Sequence, residues 1–267
     1  MQALRKDSRN NLTIGGISVN LPTMNHAVDA VVAATRQETS FAVFTLNLSH
    51  VVQMRARNDF HAAYRRADFV TADGFPIAVL GRMVGMKIRR TTGSDMLTPV
   101  CEAASRHDLP VFLMGANETT LAESECRLLA QHRGLRIVGT YVPAAPFDPH
   151  SADADTAIAC IRASGARLCI LALGAPRQEI FAIRCRDEIE GLGMLCFGAA
   201  LDFLAETQER APLVAQQSGL EWAWRAFREP RRLGPRYLQC LAVLPSLIAE
   251  TIPQIFHAHL GTYRWRH

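Results

Sequence analysis

Short apolar runs alternate with helical apolar spacing over most of the chain. Phe41 to Leu46, Asp68 to Ala72, Val111 to Met114, Leu135 to Val142, Leu168 to Leu173 and Met194 to Phe197 read as buried strands. Between them, Ser49 to Arg66, Phe75 to Val84, Ser94 to His107, Glu118 to Arg133, Asp153 to Ser164 and Pro176 to Glu188 carry helical spacing, with Ser94 a candidate cap. Ahead of this series, Leu12-Thr13-Ile14 and Ile17-Ser18-Val19 flank Gly15-Gly16, which predicts a hairpin, and Pro22 to Gln37 predicts a helix. Continuous apolar strands that alternate with helices predict a mainly parallel, Rossmann-like α/β sheet covered by helices on both faces. After Gly198 the strand pattern stops and only helical spacing continues. A boundary near residue 206 therefore divides an α/β body (residues 1–206) from a C-terminal helical appendage (residues 207–267).

Composition adds little to this division. The chain has 267 residues, 49% hydrophobic and 20% charged, enough for a sizeable core. A net charge of +4 is too small to point to nucleic acid, and no nucleic-acid-binding module is present. The seven cysteines form no Cys-x-x-Cys pair, and Cys169 and Cys196 lie inside strand-like runs. A reducing, cytoplasmic setting fits them. Met1 to Asn11 is polar, without the apolar core of a signal peptide, and no stretch reaches the roughly 18 apolar residues that a spanning helix needs.

Candidate chemistry sits where strands end. Thr45 and Asn47 follow the first buried strand, and Asp73-Gly74 follows the second. In open α/β sheets that rim binds ligands, so Asp73 is a candidate general base and Thr45 and Asn47 candidate ligand contacts. On spacing alone Asp73-Gly74 reads more readily as an ordinary turn, and Thr45 or Asn47 as a helix cap. Arg90 precedes Gly93-Ser94-Asp95 at a helix start, where a cation and helix amides can share an anion. Gly174-Ala175-Pro176-Arg177-Gln178-Glu179 follows an apolar strand and resembles a phosphate-facing junction, although it is neither Gly-x-Gly-x-x-Gly nor a P-loop. Asp153-Ala154-Asp155 has the form of a metal-bridging pair, but it opens a helix, where carboxylates are favourable without metal. In the appendage, Arg225, Arg228, Arg231, Arg232 and Arg236 are interleaved with Trp222, Trp224, Phe227 and Tyr237. This suits a membrane interface and equally a solvated basic helix packed on the body.

These runs occur in one order, and Glu209-Arg210-Ala211-Pro212, Gly219-Leu220-Glu221-Trp222 and Arg228-Glu229-Pro230-Arg231-Arg232 complete it. From Leu12 to Tyr237 the chain resembles the WecG/TagA/CpsF family of bacterial glycosyltransferases. The resemblance implies an inverting, metal-independent transfer without cofactor. The donor would be a UDP-sugar and the acceptor a polyprenyl-pyrophosphate-linked sugar, at the inner face of the cell membrane. It implies Asp73 as the general base, reversing the reading from spacing alone. Thr45 and Asn47 would line the pocket, and Arg90, Gln178 and the Gly174 junction would meet donor or leaving group. Arg225, Arg232 and Arg236 would complete the site from the appendage. Ala72 departs from the proline common in the family before Asp-Gly. Family donors include N-acetylmannosamine, its uronic acid and glucose, and the sequence selects none. A non-catalytic nucleotide-sugar binder is the alternative, and a homo-oligomer is compatible with either.

Overall fold

The computed structural model describes residues 12–208, 211–212, 224, 227–228 and 230–263. The chain runs β1 (Leu12–Ile14), β2 (Ile17–Val19), α1 (Met24–Arg36), β3 (Phe41–Leu46), α2 (Leu48–Ala56), α3 (Asn58–Arg65), β4 (Phe69–Ala72), α4 (Phe75–Met83) and α5 (Gly93–Arg106). It continues β5 (Val111–Gly115), α6 (Glu118–Gln131), β6 (Ile137–Tyr141), α7 (Ala152–Ser164), β7 (Leu168–Ala172), α8 (Arg177–Glu188), β8 (Gly193–Cys196), α9 (Ala200–Leu204) and α10 (Pro230–Tyr263).

Strands β1 and β2 form the predicted hairpin, with Leu12 opposite Val19. The other strands form one sheet in the order β4-β3-β8-β7-β5-β6, and every adjacent pair is parallel. The predicted α/β architecture is thus the one observed. Side chains alternate across a strand, and here they divide between two cores. Ala42, Phe44 and Leu46 of β3 join Cys169, Leu171, Met194 and Cys196 under α2, α3, α8 and α10. Phe41 and Val43 join Leu168, Ile170 and Leu195 on the opposite face, under α1, α5 and α9.

Three local expectations change. The helix expected over Ser49 to Arg66 is two, α2 and α3, parted at Arg57, whose backbone is extended. Apolar spacing continues through the break, because Val51, Met54, Phe60 and Tyr64 all enter one core. The cap of α5 is Thr92, not Ser94: Thr92 Oγ1 accepts the Asp95 backbone N–H at 3.1 Å. Within α10, Leu233–Phe256 is 24 residues with mean hydropathy 1.3, long and apolar enough to cross a membrane by length and composition. That corrects the expectation that no stretch has this character.

One stripe of α10 docks on the body. Val243, Leu247 and Thr251 are buried, and Gln254 pairs with the edge of β1, accepting from Thr13 N at 2.9 Å and donating to Thr13 O at 2.7 Å. A neighbouring stripe, Leu238, Leu241, Ile248, Ile252 and Phe256, stays exposed.

Candidate functional site

Parallel strands send their carboxyl ends to one rim, and each following helix starts there with its N–H groups unsatisfied. A cavity of 570 Å³ opens on this rim, at the ends of β3, β4, β7 and β8. Its lining includes Asn47 to His50, Gly74 to Pro76, Gly93 and Ser94, Gly174 and Gln178, and Gly198 and Ala199. These residues stand at the starts of α2, α4, α5, α8 and α9. The field from several helix N-termini in one cavity favours an anion.

Asp73 is set by backbone bonding between two strand ends. Its N–H donates to Leu46 O at 2.8 Å, bringing the end of β4 beside the end of β3. Gly74 follows with φ of 109°, a conformation that the next turn requires and that side-chain-bearing residues rarely adopt. Asn47 caps α2 through Oδ1, which accepts the His50 N–H at 3.0 Å, and its Nδ2 donates to Asp73 Oδ2 at 3.3 Å. Thr45, one residue before the strand ends, is buried and lines the same cavity.

The Arg90 segment is tied to β4. Thr91 N donates to Ala72 O at 2.8 Å, and Thr71 Oγ1 donates to Thr91 O at 2.9 Å. Arg90 faces the cavity and forms a 3.5 Å ion pair with Asp95. Behind it, Gly93 packs on the Phe197 backbone so closely that a Cβ would lie 2.6 Å from Phe197 Cα.

Gln178 lines the cavity from the first turn of α8, with both ends of its amide engaged. Its Oε1 accepts from Gly198 N at 3.2 Å, and its Nε2 donates to Glu179 Oε1 at 2.8 Å. Glu179 is fully buried, and its Oε2 meets no hydrogen-bond partner. Burial pushes the Glu179 carboxyl up to about 7, against the opposing bond from Gln178. Arg177 is exposed, away from the cavity lining.

Arg236 reaches the site from α10. Its Nε donates to Ser49 Oγ at 2.7 Å, in the first turn of α2, and it lines the cavity with Tyr237, Leu241 and Leu244. Arg225 and the Arg232 side chain lie outside the described residues. The cavity therefore has a polar floor (Thr45, Asn47, Asp73, Gln178), cations at Arg90 and Arg236, and an apolar lip of Leu48, Phe75, Leu241 and Leu244.

Two buried polar residues escaped the sequence reading. His50 Nδ1 lies 2.7 Å from the Tyr64 hydroxyl, which donates to Thr45 O at 3.1 Å. Burial and the nearby Arg236 charge hold His50 down to about 3, so its ring is neutral. Burial, with the charges of Glu179, Cys196 and Asp73, raises the Tyr64 phenol. The Asp153/Asp155 pair is structural. Asp153 accepts from Tyr141 Oη at 2.6 Å and Ala144 N at 2.9 Å, and Asp155 pairs with Arg184.

Fold and site together define an α/β protein with an anion-favouring cavity and a carboxylate at the carboxyl ends of a parallel sheet. A model of the Glycosyl transferase WecG/TagA/CpsF family matches residues 12–256. The chain belongs to that family, which supports glycosyltransferase activity.

Proposed function

We propose that the protein moves a sugar from a UDP-sugar to a lipid-pyrophosphate-linked sugar, with inversion and without metal, on the inner face of the cell membrane. Asp73 accepts the proton of the acceptor hydroxyl. The oxygen so released attacks the anomeric carbon from the face opposite UDP. The bond to the β-phosphate oxygen breaks, and UDP departs with the electron pair. Arg236, Arg90 and the helix-start amides stabilise the developing charge, the role preorganised donors fill in a water-poor site. Thr45 and Asn47 orient donor and acceptor, and Gly174 and Gln178 shape the donor wall.

The observation that carries this reading is the Asp73 carboxylate, bonded to Asn47 on the floor of a cavity whose rim is cationic and whose lip is apolar. Leu241 belongs both to that lip and to the exposed stripe of α10, which supports a membrane-facing entrance for a lipid acceptor. On this reading residues 1–206 supply the base and donor site, and residues 207–267 supply the membrane face and Arg225, Arg232 and Arg236.

The test is UDP release from a panel of UDP-sugars with a short-chain lipid-pyrophosphate-sugar acceptor, in buffer containing EDTA. Release that requires the acceptor and persists in EDTA is expected. UDP binding without turnover on any acceptor overturns the transfer reading in favour of a nucleotide-sugar binder.

A further inference from the structure

Asn47 is constrained from both ends. Its Oδ1 accepts the His50 backbone N–H, so its amide nitrogen has to face away from that cap. The nitrogen carries two protons and meets two groups, Asp73 Oδ2 at 3.3 Å and His50 Nε2 at 3.5 Å. A ring nitrogen that faces an amide donor has to be bare, which puts the single proton of a neutral imidazole on Nδ1.

The other side of the ring leads to the same assignment. Nδ1 lies 2.7 Å from the Tyr64 hydroxyl oxygen, whose one proton goes to Thr45 O at 3.1 Å. The oxygen is left to accept. In the arrangement that satisfies these contacts, Tyr64 donates to Thr45, His50 Nδ1 donates to Tyr64, and Asn47 Nδ2 donates to both His50 Nε2 and Asp73. Packing holds the rings in place. Phe60 meets His50 edge-on with centroids 5.7 Å apart, and Phe44 and Phe60 meet Tyr64 at 5.1 Å.

Taking Asp73 as the base, we propose that His50 is a positioning residue: fixed by Tyr64 as the Nδ1–H tautomer, it turns a lone pair to Asn47 and so keeps the Asn47 amide nitrogen on Asp73. The opposite tautomer sets N–H against N–H. Asn47 cannot relieve that clash by flipping its amide without giving up the cap of α2. Burial and the Arg236 charge disfavour the imidazolium and outweigh the bond to the Thr45 backbone that favours it; an imidazolium would create the same clash. His50 acts through Asn47 and transfers no proton itself.

The first test needs no substrate. Imidazole ¹⁵N shifts of the full-length protein at neutral pH are expected to show His50 protonated at Nδ1 and bare at Nε2. A ring protonated at Nε2, or charged, overturns the proposal. The second test compares kcat and KM for His50→Gln, His50→Leu and Tyr64→Phe in the UDP-release assay, with folding verified by far-UV circular dichroism. Gln retains an acceptor for Asn47 and is expected within about 3-fold of wild type, while Leu and Phe lose about 10-fold in kcat, the worth of one hydrogen bond, with KM little changed. Equal turnover of His50→Leu and wild type, or no advantage of Gln over Leu, overturns the proposal. Failure of wild type to turn over any donor refutes the glycosyl-transfer reading instead, and leaves the tautomer result to decide the His50 arrangement.

Discussion

Glu179 should leave a measurable mark on the pH dependence of stability. Its carboxyl is fully buried, holds Gln178 Nε2 with one oxygen, and is raised from 4.5 to about 7 by burial. Below about pH 4.5 it is protonated both folded and unfolded, so its stabilisation is fully present. As pH rises the unfolded chain releases the proton first, while the folded protein keeps it until about pH 7. Stability is therefore lost across that window, and the loss levels off above it. At 1.36 kcal/mol per unit, integration between about pH 5 and about pH 8 gives a loss of about 2.5 kcal/mol from this one group.

Glu179→Gln removes the titration and keeps an acceptor for Gln178. Its own fixed cost, an amide with an unpartnered donor, does not vary with pH. The assay is urea unfolding of wild type and variant at both pH values. Subtracting the variant cancels the other titrating groups. Wild type should lose about 2.5 kcal/mol more than the variant on going from the lower pH to the higher. Parallel pH dependence in the two proteins would refute the assignment of a raised, buried carboxyl.

Two further predictions concern the C-terminal helix. Arg236→Ala should lower kcat/KM by about 10²-fold, the cost of one preorganised charge-stabilising donor, while urea unfolding changes little because the side chain is at the surface. Leu241→Asp with Ile252→Asp places two charges on the exposed apolar stripe. The double variant should stay folded and no longer float with anionic vesicles that carry the wild-type protein.

The strand framework was legible because a strand buried on both faces writes its length directly as an apolar run. Phe41 to Leu46 has the same limits in the sequence and in the structure. That the candidate residues at strand ends would come together was legible for a related reason. Topology gathers strand carboxyl ends, so Thr45, Asn47, Asp73, Gly174 and Gln178, distant in sequence, line one cavity. Arg90 and Arg236 join them from a loop and from α10.

What stayed hidden is polar and buried. Burial of Glu179 leaves no mark in composition, though its spacing to Ala182 and Ile183 puts it on the inward face of α8, a carboxylate on an apolar stripe. His50 sits four residues before the buried Met54 in the same way, and three after the cap Asn47. The break at Arg57 was silent because the helices on either side bury into one core. Docking of α10 through Gln254 on the backbone of Thr13 uses a neutral amide far away in sequence, which periodicity does not register.

The most direct measurement of the central claim is acceptor-dependent UDP release by Asp73→Asn beside wild type. Asparagine keeps the volume at this position and removes the base. Loss of about 10³-fold in kcat with the fold intact is the predicted result, within the range a general base contributes. Turnover by Asp73→Asn at the wild-type rate would contradict the assignment of Asp73 as the group that takes the acceptor's proton.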